Sequence, residues 1–138
     1  MKTKPPVWID ERAVVAIHGR LLAIHGGKTG MRDQGLLQSA LARPQQHHAY
    51  AESPDILEMA ALYTAGIICN HPFADGNKRT GFVTGVLFLE LNGFDFKTSE
   101  EDATQAVMSL AAGTLDESGY TAWLRTNTKP KKSRWSRI

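Results

Sequence analysis

Two stretches, Ile56 to Ile68 and Phe82 to Leu89, constrain this chain more than any other feature. The first contains one formal charge, Glu58, and the second contains none. A helix that is apolar around nearly its whole circumference needs cover on nearly every side. Both stretches are too short to cross a bilayer, and Glu90 interrupts the second, so no membrane span is expected. The pair predicts two central helices, one running to about Asn70 and one over about Asn77 to Leu91, with the polar run His71 to Arg79 held between them. Ser53-Pro54-Asp55 offers the first helix a capping hydroxyl, a proline at an early position and an acid near the positive end of the dipole. Asn92-Gly93 closes the second.

The remaining segments predict smaller elements around that pair. Val14, Ile17, Leu21 and Ile24 fall on one helical face, with Asp10 as N-cap and Gly26-Gly27 as stop. His18 and His25 share one side of this helix, but without a carboxylate or thiolate partner they read as packing or solvent-facing residues. Gly26 to Gly35, rich in glycine and polar residues, predicts an exposed flap able to pair with an extended substrate backbone. Arg32 and Asp33 within it read as a local pair. A short helix of about Leu36 to Ala42 should end near Pro44, and Gln45 to Glu52 reads as connection, with His47 and His48 at the surface. Ser99 with Asp102 starts another helix, stopped at Gly113, and Thr114 with Glu117 caps a last one. Only Phe94 to Phe96 hints at a strand, so the expected fold class is all-α.

Length sets one domain rather than two for 138 residues. The expected division is a folded domain over 1–128 and a disordered basic tail over 129–138, carrying Lys129, Lys131, Lys132, Arg134 and Arg137. The formal charge is only +2 and most of the excess sits in that tail, which argues against nucleic acid as a direct partner. The single cysteine, Cys69, cannot form an intramolecular disulfide, and Met1 to Pro6 lacks the apolar stretch of a secretory signal. A cytoplasmic location is expected.

His71-Pro72-Phe73-Ala74-Asp75-Gly76-Asn77-Lys78-Arg79 is the densest mixture of functional groups in the chain. It holds a histidine able to exchange protons near neutral pH, a carboxylate suited to a divalent cation, and a lysine and arginine suited to phosphate. Gly76 and Asn77 fall at a helix start, where free backbone N–H groups and the dipole favour an anion and glycine permits close approach. The run is not a P-loop: Gly76 and Gly81 have the required gap, but Phe82 stands where lysine is needed. Read without its chemistry, the same run is a polar loop in which Asp75 and Asn77 serve as caps. Phe73 reads as an apolar anchor.

This run resembles the signature loop of the Fic/Doc family in its Doc (death-on-curing toxin) form. The resemblance extends through Gly30-Met31-Arg32-Asp33, Leu36 to Pro44, Ala60-Ala61, Leu91-Asn92-Gly93 and Trp123-Leu124, covering nearly all of residues 8–127. It implies the Fic/Doc helical bundle with a short glycine-rich flap. It also implies that His71 takes the proton from a target hydroxyl, that Asp75 holds Mg2+ on the nucleotide phosphates, and that Gly76, Asn77, Lys78 and Arg79 cradle them. In the AMP-transferring Fic branch the position of Lys78 is glycine, followed by a first arginine and by a second one three residues on; here these positions are Lys78, Arg79 and Phe82. A lysine there obstructs that branch's nucleotide pose, and the resemblance implies ATP bound in reverse with its γ-phosphate presented.

The implied function is a toxin kinase that phosphorylates a protein serine or threonine, with elongation factor Tu as target and translation arrested. No self-inhibitory [Ser/Thr]-x-x-x-Glu-[Gly/Asn] pattern is present, so restraint is expected from a separate Phd-like antitoxin. Gly76 and Val83 depart from the phage Doc form, which carries alanine and asparagine there. The alternatives are AMP or other nucleotidyl transfer on the same fold, and a catalytically silent module that binds antitoxin or nucleic acid.

Overall fold

The computed structural model describes residues 5–132, and six helices and one small sheet account for most of them. In chain order these are α1 (Glu11–His25), α2 (Gln34–Tyr50), α3 (Ile56–Asn70), α4 (Asn77–Leu91), β1 (Phe94–Phe96), α5 (Glu100–Ala112), α6 (Glu117–Thr126) and β2 (Thr128–Pro130). The fold is all-α in class, as its periodicity predicts.

The centre is α3, packed against α2, α4 and α6. Its buried residues, among them Leu57, Met59, Tyr63, Ile67 and Ile68, point in every direction around the helix, as a nearly charge-free stretch requires. The approach of α3 to α4 is close enough to need glycine. A Cβ on Gly85 would collide with Thr64 Oγ1 and lie 3.0 Å from the carbonyl of Ala60. Thr64 in turn donates a hydrogen bond of 2.8 Å to the carbonyl of Gly81, so the two backbones are tied as well as packed. This contact fixes where α3 ends relative to where α4 begins. The segment joining them has little room to move.

Several expected boundaries shift, each for a local reason. The helix expected over Leu36 to Ala42 runs on through Pro44 and the expected connection to Tyr50. Leu37, Ala40, Leu41 and Pro44 form one buried stripe, and burying that stripe outweighs the one backbone bond that proline forfeits. His47 and His48 are therefore helical; His47 lies 3.6 Å from Glu58, and His48 meets the edge of Trp8. On α1 the buried residues are Val14 and His18, whereas Ile24 is 65% exposed. Asp55 rather than Ser53 caps α3, and Asp116 rather than Thr114 caps α6, because each carboxylate accepts the amide of its own first turn. The hint of strand at Phe94–Phe96 is realised as β1, which pairs antiparallel with β2 in the register Phe94 to Pro130.

That pairing also moves the expected tail. Lys129 and Pro130 belong to β2, the Lys131 amide donates to the carbonyl of Gly93, and its Nζ donates to the carbonyl of Glu90. The boundary expected at 129 thus falls inside a paired strand, and Arg134 and Arg137 lie outside the described residues. No helix among the described residues is long and apolar enough to cross a membrane.

Candidate active site

The run between α3 and α4 divides into a half that holds itself and a half that faces outward. His71 closes α3 in the left-handed conformation, φ 49°, ψ 56°, the one non-glycine residue with positive φ among those described. Pro72 and Phe73 then turn inward and are buried, Phe73 to 1% exposure, which contributes about 2–3 kcal/mol of apolar transfer. Asn77 completes the inner half. Its Oδ1 accepts the Phe73 amide at 3.0 Å and its Nδ2 donates to the Phe73 carbonyl at 3.0 Å, so one side chain closes the loop upon itself. The same Nδ2 lies 3.5 Å from His71 Nδ1, at the long limit of hydrogen bonding, and orients that ring only weakly.

The outer half holds the candidate functional groups. His71, Asp75, Gly76, Asn77, Lys78 and Arg79 all line one cleft of about 620 Å³, whose far wall is formed by α5 and whose rim includes His25 of α1. Gly76 is the N-cap of α4 with φ 78°, and no side chain caps this helix. The first amides of a helix have no partner within it, so those of α4 are left for an anion at the positive end of the dipole. Lys78 and Arg79 project from the same first turn and are exposed. The side chain of Asn77 is committed to the loop, leaving its backbone as the part able to face a phosphate.

Asp75 is fully exposed, yet its carboxyl titrates below the ordinary carboxylate range. The first cause is the Lys28 amide, which donates to Oδ2 at 3.2 Å; the second is the Gly76 amide, which donates to Oδ1 at 2.8 Å. The positive charges of Lys28 and Arg79 act in the same direction. The carboxylate is thereby kept ionised and aimed.

The flap and the signature run are joined through their backbones. Met31 bridges Phe73, the Ala74 amide donates to the Gly30 carbonyl, and the Arg32 and Asp33 amides both donate to the Pro72 carbonyl. Arg32 and Asp33 do not form the local pair expected of them. The Arg32 guanidinium donates instead to the carbonyls of His71 at 2.6 Å and Asn70 at 2.8 Å, while Asp33 caps α2. Arg32 therefore satisfies the last carbonyls of α3 with a cation, the favourable sign at a helix C-terminus. The sequence marks Arg32 only as part of a local pair and of the resembling stretch Gly30 to Asp33, and its reach to the end of α3, 38 and 39 positions away, has no local signal. Gly35 lies within α2, so the flap is shorter than expected.

The Fic/DOC family model matches residues 8–89, a span holding α1, the flap and the whole signature run. The chain belongs to the Fic/DOC family. It is 33% identical over 117 residues to the protein kinase doc of Escherichia phage P1, a match covering 85% of this chain and 92% of that protein. It is 39% identical over 69 residues to the toxin Doc of Mycolicibacterium smegmatis, covering 49% of this chain and 53% of that one. These relatives put it on the Doc branch. Among solved structures it resembles the N-terminal Fic domain of a cell filamentation protein, a VirB-translocated Bep effector of Bartonella quintana with bound ADP. The TM-score is 0.50 at 20% identity, covering 78% of this chain and 54% of that one, which shows the Fic fold.

Proposed function

We propose that this Fic/DOC protein is a toxin of the Doc type that transfers the γ-phosphate of ATP to a serine or threonine hydroxyl of a protein. The observation that carries the proposal is the uncapped start of α4, with Lys78 and Arg79 on its first turn and His71 in the same cleft. A seat for phosphate beside a titratable ring is what in-line phosphoryl transfer needs, since its catalysis is mostly positioning and electrostatics. The names of the phage and mycobacterial relatives support the same reading.

Asp75 suits magnesium. Its carboxylate is exposed and kept ionised, and the described residues contain no cluster of three or more metal-ligating side chains. Magnesium is commonly held by one or two carboxylates together with substrate phosphates, which a lone Asp75 beside a phosphate seat can provide. Bound there, the ion would neutralise charge on the phosphate oxygens. Lys78 and Arg79 add to that neutralisation and orient the phosphates against the amides of α4. His71 takes the proton from the acceptor oxygen as that oxygen bonds to the γ-phosphorus, while the bond from that phosphorus to the β,γ-bridging oxygen breaks and ADP leaves.

The preference for kinase over AMP transfer rests on Lys78 and Phe82, which stand where the AMP-transferring branch has a glycine and its second arginine. Elongation factor Tu is the proposed acceptor, arrested translation in the cytoplasm the outcome, and a separate Phd-like antitoxin the restraint. The domain is proposed to include β2, with the basic residues beyond it as a tail.

The test is transfer from ATP labelled at either the α- or the γ-phosphate, with magnesium and elongation factor Tu, and His71→Ala in parallel. Label from the γ position that vanishes in the variant is expected. Label from the α position would move the protein to nucleotidyl transfer. Lys78→Gly is expected to change the type or rate of transfer, and unchanged transfer would remove Lys78 as the group that orients ATP.

A further inference from the structure

His18, on α1, meets the signature run through two contacts, one with the ring of Phe73 and one with the backbone of Asp75. The residue is 5% exposed. Its ring stacks on that of Phe73 with centroids 3.8 Å apart and planes within 8°, and its Nε2 lies 2.7 Å from the carbonyl oxygen of Asp75. The first contact anchors the loop. The second reaches the peptide that joins Asp75 to Gly76.

That peptide bears directly on the site. A trans peptide is planar, with its carbonyl and its N–H pointing in opposite directions, and the described residues contain no cis bond. Drawing the Asp75 carbonyl toward α1 therefore turns the Gly76 N–H the other way, where it donates to Asp75 Oδ1. Gly76, in the left-handed region at φ 78°, has no side chain to restrict the rotation of this peptide, so the orientation must be imposed from outside. His18 supplies a donor at the carbonyl.

We propose that His18 is a positioning residue: by holding the Asp75 carbonyl it fixes the Asp75–Gly76 peptide, and with it the aim of the Asp75 carboxylate and the first turn of α4. The proposal rests on the reading of that turn and carboxylate as the seat of a metal-bound nucleotide.

Two substitutions separate the contacts. His18→Phe keeps a ring against Phe73 and removes the donor; His18→Gln removes the ring and keeps an N–H donor of similar reach. Three quantities are measured on each: melting temperature, affinity for MgADP, and kcat with KM for the protein acceptor. Loss of the positioning bond in His18→Phe is expected to weaken MgADP and lower kcat by about tenfold, with KM for the acceptor and melting temperature near those of the parent. His18→Gln is expected to melt lower yet stay within about threefold of the parent in both, since the bond survives. Affinity and kcat that follow melting temperature across both variants would reduce His18 to a packing residue and overturn the proposal.

The parent protein gives an independent check by nitrogen-15 NMR. A proton on His18 Nε2 is expected, and a neutral ring protonated only on Nδ1 would overturn the proposal, even should His18→Phe fail to fold. Absence of transfer from either labelled ATP in the parent would sink the phosphoryl-transfer reading, while MgADP affinity against melting temperature in the two variants would still decide the role of His18.

Discussion

The N-terminus of α4 differs from those of the other five helices. Asp10, Asp33, Asp55, Ser99 and Asp116 each place a side-chain oxygen on an amide of the helix they begin. At α4 the corresponding position is Gly76, with no side-chain cap. Glycine at an N-cap is only a few tenths of a kcal/mol worse than the best capping residues, so leaving these amides open costs little stability. It also leaves no side chain over them. The difference teaches that the five capped ends settle their own polar groups, while the sixth presents its amides, with Lys78 and Arg79 beside them, to the cleft shared with His71 and Asp75.

The sharpest division between the two kinds of helix end comes from removing chemistry without touching structure. His71→Ala should lower phosphoryl transfer by roughly 10²–10⁴-fold, the usual worth of a positioned base, with little change in melting temperature. A variant as active as the parent would remove His71 from the mechanism. Converting the open end into a capped one should come next. Gly76→Asp puts an oxygen over the amides and forces a side chain into the left-handed region, at about 1–2 kcal/mol of strain. It should weaken MgATP by about tenfold or more, beyond what its melting temperature explains. Unchanged affinity would mean that the phosphate lies elsewhere.

The converse experiment acts on a helix end that only holds itself. Asp116→Ala should cost about 1 kcal/mol, roughly 4 °C in melting temperature for a chain of this size, and leave nucleotide affinity alone. A loss of affinity there would blur the distinction.

The smallest effect concerns pH. The Asp75 carboxyl is depressed in the folded protein, first by the Lys28 amide and then by that of Gly76, so what it contributes is present above its unfolded pKa. It is lost only as pH falls through the lower folded value. Exchange protection of the Lys28 amide should therefore stay level through neutral pH down to about 4 and decline only in more acid solution. A decline that begins near neutrality would point to a histidine instead.

Much of the fold was legible in the sequence because it rests on burial pattern. The span of α4, the caps Asp10 and Ser99, and the stop at Gly113 follow from periodicity and cap chemistry, both local. The continuation of α2 through Pro44 was not legible, because what favours it is the burial of Leu37, Ala40, Leu41 and Pro44 in packing against α3, where Ala40 meets Gly66 26 positions away, beyond the reach of a local pattern. The same limit applies to the site. The signature run announced itself by composition, and Phe73 was readable as its anchor. Its supports, His18, Lys28 and Arg32, reach it across 39 to 57 positions of sequence, and no spacing rule connects them. His18 left one trace, since it lies four residues after Val14 on the same face, where an imidazole read as ordinary packing.

The most direct test of the central claim is to follow the backbone amides by NMR while MgATP is added. The largest shifts are expected on Asn77, Lys78 and Arg79, with smaller ones at His71 and Asp75, while the first-turn amides of the five capped helices stay in place. Shifts of equal size at those capped ends, or shifts confined to α1 and the flap, would contradict it.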